Sequence, residues 1–236
     1  MNFIGELLGT LVLVLLGDGV VSACILNKTK AQNSGWIAIV LGWGVAVSIA
    51  VYISGFLSGA HLNPAVTIAL AATGAFSWGQ VPIYLLAQFL GAGLGAILVY
   101  LHYYPHWKET EDAGTILACF STGPAIRHTW SNLLGEALGT AVLVITVMAI
   151  GPNKVADGLG PIIVGLVVIA VGFSLGATTG YAINPARDLG PRIIHAILPI
   201  PNKGDSDWSY AWIPVVGPIL GGVVGALLYQ LVLAIL

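Results

Sequence analysis

Six stretches of the chain are apolar over a length that can cross a lipid bilayer, and more polar segments separate them. A transmembrane helix needs about 20 predominantly apolar residues. Helices are favoured because a helix satisfies its own backbone hydrogen bonds inside lipid. The pattern therefore predicts an all-α membrane protein with six transmembrane helices, over residues 4–26, 36–56, 82–102, 130–150, 160–179 and 211–236.

Two connecting segments differ from the others, because they are semi-apolar, flanked by glycine and too short to span a bilayer alone. They cover residues 58–75 and 180–197, and each contains the triplet Asn-Pro-Ala. Asparagine is a preferred N-cap residue, and proline is favoured at the first helical position. The triplets predict two short re-entrant half-helices, over residues 64–72 and 185–195.

The two halves of the chain repeat each other. Glu6-Leu-Leu-Gly-Thr10 matches Glu136-Ala-Leu-Gly-Thr140 at an offset of about 130 residues, and two glycine-rich motifs match at the same offset. Because each half holds three spans, the second half enters the membrane from the opposite side, so the repeat is inverted. We predict a single membrane domain, residues 1–236, made of repeat one (1–102), a connecting loop (103–129) and repeat two (130–236).

The composition excludes a soluble protein. Hydrophobic residues make up 57% of the chain and charged residues 8%, whereas about 25% is usual for charged residues in globular proteins. The 8 Lys and Arg against 10 Asp and Glu argue against a nucleic-acid partner. Cys24 and Cys119 have no second ligand at metal-binding or redox spacing, so no metal or redox motif is predicted at them.

The paired triplets indicate a chemical function. The start of a helix presents unpaired N–H groups and a partial positive charge. If two starts meet tip to tip at the bilayer midplane, they repel cations and protons, while the asparagine amides still offer donors to a neutral solute. One triplet alone usually marks a turn. Two in equivalent places of an inverted repeat predict that the domain is a passive channel for uncharged, hydrogen-bonding solutes.

The sequence resembles the aquaporin (major intrinsic protein) family over nearly its whole length. Ser58-Gly-Ala-His-Leu-Asn-Pro-Ala-Val66 and Gly180-Tyr-Ala-Ile-Asn-Pro-Ala-Arg-Asp188 are similar to the two family signatures. The resemblance implies a homotetramer with one pore in each subunit, a passive mechanism and no cofactor. It places both triplets in the pore: Asn63, Pro64, Ala65, Asn184, Pro185 and Ala186.

The resemblance also implies a selectivity filter at the narrowest point of the pore, formed by Trp43, Gly172, Tyr181 and Arg187. Two aromatic faces would accept a carbon backbone, the guanidinium would donate to hydroxyls in its fixed fork, and glycine would add width. The alternatives are that the aromatics are packing residues and that Arg187 forms a structural salt bridge to Asp188 or a snorkelling loop charge.

Two filter positions distinguish the branches of the family. Water-selective members usually have histidine where Gly172 stands and phenylalanine where Trp43 stands. Both differences favour the bacterial glycerol-facilitator (aquaglyceroporin) branch, as do Asp188, Arg192 and Pro214. The predicted solute is therefore a small neutral polyol such as glycerol, with some water.

Tyr181 departs from the glycerol type, which commonly has phenylalanine there. Its hydroxyl adds a donor and an acceptor and takes up space. This leaves open a preference for water, dihydroxyacetone, urea or an undissociated small acid such as lactic acid.

Polar residues inside the spans are predicted to support the pore loops. Glu6 and Glu136 occupy matched places and would accept from the non-helical backbone before each half-helix, with a coupling role as the alternative. By resemblance, His61 is a similar brace, with pH gating as its alternative, and Asp188 supports the second loop. Asp18 has no counterpart in the expected pattern, and we expect it near the outer end of its span, facing a vestibule.

Three other classes of protein fit the residues less well. A coupled secondary transporter needs titratable residues along its route, and the spans offer only Asp18 and the Glu6/Glu136 pair. A serine hydrolase could use Ser58 and His61, but the nucleophile-elbow glycine spacing is missing. An ion channel would need acidic rings or carbonyl filters. We therefore predict that the protein is not an enzyme.

The expected location is a plasma membrane, as a multi-pass protein, and the short termini without targeting signals favour a prokaryotic one. Similar proteins keep both termini in the cytoplasm. The positive-inside rule favours the opposite orientation. We follow the resemblance because the charges are few. In this topology one cation, Lys154, faces the cytoplasm, and the outside carries Lys28, Lys30, Lys108, Arg127 and Lys203.

Overall fold

The computed structural model describes residues 1–235, and within that range the chain is helical without a β-strand. This confirms the predicted fold class. Leu236, the last residue of the predicted sixth span, lies outside the described residues. The helices are α1 (Asn2–Ile25), α2 (Gly35–Ser58), α3 (Pro64–Ala72), α4 (Val81–His102), α5 (Tyr104–Trp107), α6 (Ala113–Ala118), α7 (Thr129–Ile150), α8 (Gly160–Ser174), α9 (Pro185–Ile197) and α10 (Ile213–Ile235).

Five helices of the described chain are long and apolar enough to cross a membrane: α1, α2, α4 with its preceding turn, α7 and α10. The sixth predicted span is the shorter apolar helix α8. The prediction of one helix over residues 160–179 was too long, since α8 ends at Ser174 and a 3₁₀ turn follows at Gly176–Thr178. The ring of Tyr181 packs against Gly176, where it takes the place that a side chain would need.

The half-helices α3 and α9 begin as their sequences predict. Asn63 caps α3, because its Oδ1 accepts a hydrogen bond from the Ala65 N–H at 2.9 Å. Asn184 caps α9 in the same way, with the Ala186 N–H at 3.0 Å and the Arg187 N–H at 3.2 Å. Proline occupies the first turn of both helices. α3 has the predicted bounds, and α9 continues two residues further, to Ile197.

The two halves interlock through their half-helices. In the first half α1 packs against α2 and α4, and in the second half α7 packs against α8 and α10. α3 lies against α10, however, and α9 lies against α4. Each half-helix is therefore held by the last span of the other half, and the centre of the molecule is built by both.

Glycines allow the main helix pairs to approach closely. A Cβ atom at Gly91 on α4 would lie 2.4 Å from the Leu7 carbonyl oxygen on α1. At Gly221 on α10 it would lie 2.0 Å from the Ala137 carbonyl oxygen on α7. Small residues are the usual means of close helix contact in membranes.

The connection between the halves is more ordered than a polar loop, since it contains α5 and α6. Asp112 caps α6, and its Oδ2 accepts from the Thr115 N–H at 2.6 Å and the Thr115 hydroxyl at 2.8 Å. The hydrogen bond from the hydroxyl lowers the pKa of the Asp112 carboxyl most, and the bond from the N–H lowers this pKa further. Glu109 in the same connection pairs with Lys28, which ties the connection to the loop after α1.

Candidate functional site

The amino ends of the two half-helices meet through reciprocal hydrogen bonds. Asn63 Nδ2 donates to the Ile183 carbonyl at 2.8 Å, and Asn184 Nδ2 donates to the Leu62 carbonyl at 2.8 Å. Each asparagine thus binds the residue that precedes the other one. Both asparagines are nearly buried, and both line the main cavity of the molecule.

This junction offers donors and a positive potential to the cavity. A side-chain amide has two N–H donors, and each asparagine uses one of them for the other loop. Each amide oxygen is occupied by N–H groups of its own half-helix. The free donors and the positive ends of two helix dipoles favour a solute with oxygen lone pairs and oppose a cation.

Glu6 on α1 holds the loop before α3. Its Oε1 accepts from the Ser58 hydroxyl at 2.6 Å and the His61 N–H at 3.0 Å. Its Oε2 accepts from the Leu62 N–H and from Gln88 Nε2, both at 2.7 Å. The carboxylate is completely buried, and donors occupy both oxygens.

Glu136 on α7 makes the matching contacts with the loop before α9. Its Oε1 accepts from the Thr179 hydroxyl at 2.7 Å and the Ala182 N–H at 3.0 Å, and its Oε2 accepts from the Ile183 N–H at 2.8 Å. This carboxylate is also completely buried. Supporting the loop backbone is what the predicted brace role requires of both glutamates.

The loops that the glutamates hold have an unusual backbone. Ala60 and Leu62 have φ values of 51°, and the equivalent Tyr181 and Ile183 have φ values of 40° and 43°. Non-glycine residues in this region cost roughly 1–3 kcal/mol each and persist only where the surroundings impose them. The buried carboxylates supply that constraint, since they bind the N–H groups of these same segments.

His61 contributes to the first loop in two ways. Its backbone N–H donates to Glu6 Oε1 at 3.0 Å, a contact that does not depend on the side chain, so the brace role predicted for the imidazole stays a prediction. Its ring packs edge-on against Phe76 at 4.7 Å between centroids, lies 5.0 Å from the ring of Tyr84, and places Nδ1 3.1 Å from the Thr67 hydroxyl. The residue also lines the main cavity.

Two cavities meet at the predicted filter. The main one has a volume of about 390 Å³ and extends past both asparagines, and the second has a volume of about 290 Å³. A solute that moves between them must pass the residues that line both. These are Trp43, Gly180, Tyr181 and Arg187.

Trp43 and Arg187 form one side of this passage. The guanidinium carbon of Arg187 lies 4.1 Å from the centroid of the Trp43 ring, which is a cation–π contact. The Trp43 ring in turn rests on Gly17 of α1, where a Cβ atom would lie 2.1 Å from Cζ3. Sequence reasoning missed Gly17, because nothing along α1 shows which glycine faces an indole ring.

Tyr181, which also lines the passage, lies on two glycines. A Cβ atom would be 2.9 Å from the ring at Gly172 and 2.5 Å from it at Gly176. Trp36 packs edge-on against the ring, with centroids 5.7 Å apart, and its indole N–H donates to the Gly172 carbonyl at 3.1 Å.

Gly172 is predicted to add width to the filter because it has no side chain, and the structure shows where that space lies. Gly172 lines neither of the two cavities described above. The space that its missing side chain leaves is bounded by the Tyr181 ring and by Val40. Gly172 therefore sets how far the Tyr181 ring withdraws from the passage. Gly176 shares this task, and its spacing of four residues from Gly172 is the only signal in the sequence that could have indicated it.

The hydroxyl of Tyr181 gives a stability prediction. It is buried and has no hydrogen-bond partner among residues 1–235, whereas the Tyr84 hydroxyl donates to the Ser58 carbonyl at 2.7 Å. We expect Tyr181→Phe to raise the free energy of unfolding by about 1 kcal/mol and Tyr84→Phe to lower it by about 1 kcal/mol. Thermal unfolding of both variants in one detergent measures this, and shifts of the same sign would contradict it.

Arg187 is paired differently from the alternative that the sequence suggested. Its Nη1 lies 3.4 Å from Asp18 Oδ1, not against Asp188. The expectation that Asp18 faces a vestibule was wrong, because its side chain is completely buried. Asp18 lies beside Arg187 of the predicted filter instead, one residue after the glycine that supports Trp43.

Asp188 supports the second half-helix through Arg192. Asp188 Oδ1 accepts from Arg192 Nε at 3.0 Å, and its Oδ2 accepts from the N–H and the hydroxyl of Thr122, both at 2.7 Å. Arg192, also buried, donates to the carbonyls of Thr122 and Ser206 at 2.8 Å. This network fastens α9 to the connection between the halves and to the segment before α10.

Comparison with known proteins gives concordant matches along the chain. The family model described as "Major intrinsic protein" matches residues 1–229. The probable glycerol uptake facilitator protein of Thermotoga maritima is 60% identical over 228 residues, which cover 97% of each chain. The glycerol uptake facilitator protein of Bacillus subtilis is 57% identical over 97% of this chain and 83% of its own. The crystal structure of the aquaglyceroporin from Plasmodium falciparum superimposes with a TM-score of 0.86 at 31% identity, over 98% of this chain and 96% of its own.

Proposed function

The chain belongs to the major intrinsic protein family, and from this premise we propose that it is a passive channel for glycerol and similar small polyols, with some water. The family consists of channels, not enzymes. Relatives 57% and 60% identical to this chain are named as glycerol uptake facilitators. The relationship also makes the chain a multi-pass membrane protein.

The observation that carries the proposal is the passage between the two cavities. Its aromatic side chains, Trp43 and Tyr181, offer apolar faces, and Arg187 offers N–H donors. Glycerol has a carbon backbone on one side and hydroxyls on the other, so it matches an amphipathic slot. The Asn63–Asn184 junction then offers donors to the same hydroxyls.

The buried acids favour a passive mechanism. A coupled transporter needs a group that gains and loses an ion along the route. Donors occupy both oxygens of Glu6 and of Glu136, and Asp18 faces the guanidinium of Arg187. These contacts give the three carboxylates structural partners, which leaves the transmembrane solute gradient as the driving force.

Three further features belong to the proposal. The single domain consists of repeat one (1–102), the connecting loop (103–129) and repeat two (130–236). Four copies form a homotetramer with a pore in each subunit. The protein lies in a prokaryotic plasma membrane with both termini in the cytoplasm. Large apolar side chains exposed on the outer faces of the spans, such as Phe56 and Leu134, suit contact with lipid or a neighbouring subunit.

Stopped-flow light scattering on proteoliposomes tests the function. We expect glycerol to enter faster than urea, dihydroxyacetone or, at low pH, lactic acid, and we expect the rate to be independent of proton and sodium gradients. Empty liposomes are the control. Faster entry of lactic acid than of glycerol would contradict the proposed solute. Uptake driven by an ion gradient would contradict the passive mechanism and indicate a coupled transporter.

A further inference from the structure

The filter arginine has a buried counter-charge on another helix. Asp18 on α1 is completely buried, lines neither of the two cavities, and lies 3.4 Å from Nη1 of Arg187. Among residues 1–235 neither of its carboxylate oxygens has a hydrogen-bond donor. A buried charge is costly unless it is paired, so the carboxylate depends on the guanidinium for its neutralisation.

The carboxylate of Asp188, which is near Arg187 in the chain, already has other partners. Asp188 follows Arg187 directly in the chain, but its oxygens are bound by Arg192 and by Thr122. In the described part of the chain, Arg187 therefore has a single ion-pair partner, which is Asp18. The two charges lie on elements from different halves of the molecule.

The pair fixes the guanidinium from two directions. Asp18 holds Nη1 from behind, and the Trp43 ring covers the guanidinium face at 4.1 Å. Gly17, the neighbour of Asp18, supplies the surface on which the Trp43 ring rests. One turn of α1 thus positions both residues of this wall, although neither Gly17 nor Asp18 lines the passage.

We propose that Asp18 is a specificity-determining positioning residue, which acts on the solute through Arg187 and rests on the proposed function as a polyol channel. The carboxylate keeps the guanidinium against the wall, so the slot stays wide enough for a polyol while the other nitrogens remain free to donate. The Asp18 carboxylate also balances the charge of the guanidinium, so the wall has no net charge. Solutes are then selected by hydrogen bonding and by the width of the slot. Without Asp18 the guanidinium is free to move into the slot, which hinders glycerol more than the smaller water.

The test measures the ratio of glycerol to water permeability in proteoliposomes that contain the full chain. We expect Asp18→Asn, which keeps the size and removes the charge, to lower glycerol permeability by about fivefold, a modest coupling for residues in contact, and water permeability by less than about twofold. The matched control is Thr10→Val on the same helix, another buried polar side chain without a partner among the described residues. We expect this control to leave the ratio unchanged.

A double-mutant cycle separates positioning from a general structural effect. Arg187→Lys keeps a cation for Asp18 but removes the rigid fork, so adding Asp18→Asn in that background is expected to change the ratio by less than about twofold. The proposal is overturned if Asp18→Asn alone leaves the ratio unchanged, or if it changes the ratio equally in both backgrounds. Equal losses of glycerol and water flux per reconstituted protein also overturn it, since they show that Asp18 does not act on selectivity. If wild-type protein passes no glycerol, the proposed function fails instead.

Discussion

Glu136→Gln is expected to lower the flux of both glycerol and water by about tenfold or more, a free-energy change of about 1.4 kcal/mol or more. Glutamine has the same shape, but one carboxylate oxygen is replaced by an amide nitrogen, which is a donor. That nitrogen would face another donor, from Thr179, Ala182 or Ile183, whose hydrogen bond the carboxylate now accepts. A donor left unsatisfied at a completely buried site costs about 1–3 kcal/mol. The loop that carries Tyr181 and Asn184 would then leave its left-handed backbone conformation, and the filter and the junction would be lost together.

The measurement is stopped-flow flux per reconstituted protein, with thermal unfolding followed in parallel. Glu109→Gln is the control, because that glutamate lies in the polar connection and pairs with Lys28 at the surface. It is expected to leave both solute fluxes unchanged. A Glu136→Gln protein that conducts like the wild type would show that the carboxylate does not hold the pore loop.

Gly172→Val has the second largest expected effect, a fall in glycerol permeability of about tenfold with a fall in water permeability of less than about threefold. A Cβ atom at this position already lies 2.8 Å from Val40 and 2.9 Å from the Tyr181 ring. Extra atoms in a packed site force neighbours to shift at a cost of about 1–3 kcal/mol. The Tyr181 ring can move toward the passage. The slot then becomes narrower, which hinders glycerol more than the smaller water.

Gly19→Val provides the comparison for this variant. A Cβ atom at Gly19 meets nothing within 4 Å, although the residue also lies in a transmembrane helix. We expect its ratio of glycerol to water permeability to equal that of the wild type. Equal losses of the two solutes in Gly172→Val would indicate that Tyr181 does not move into the passage.

The features that local chemistry dictates could be predicted from the sequence. The spans follow from uninterrupted apolar runs, and the start of each half-helix follows from an asparagine cap and a proline in the first turn. The bounds of α3 agree with prediction for this reason. Glu6 and Glu136 occupy matched positions of a repeat that is visible in the sequence. The sequence therefore also indicated that each glutamate binds the loop before the half-helix of its own half.

The arrangement of the residues around the proposed filter could not be predicted in the same way. The Asp18–Arg187 pair and the support of Trp43 by Gly17 join residues that are distant along the chain. They depend on how each helix is rotated about its axis, and an all-round apolar helix carries no periodicity that fixes this rotation. The end of α8 at Ser174 was missed for a related reason, since the Tyr181 ring that packs against Gly176 belongs to a later segment of the chain.

The reciprocal bonds between Asn63 and Asn184 have a consequence for biosynthesis. When the first three spans leave the ribosome, the acceptor of Asn63, the Ile183 carbonyl, has not yet been translated. Nor has α10, against which α3 packs. In the first half alone, Asn63 therefore lacks its acceptor and α3 lacks the helix that it packs against, so the route through the bilayer is complete only after the last helix docks.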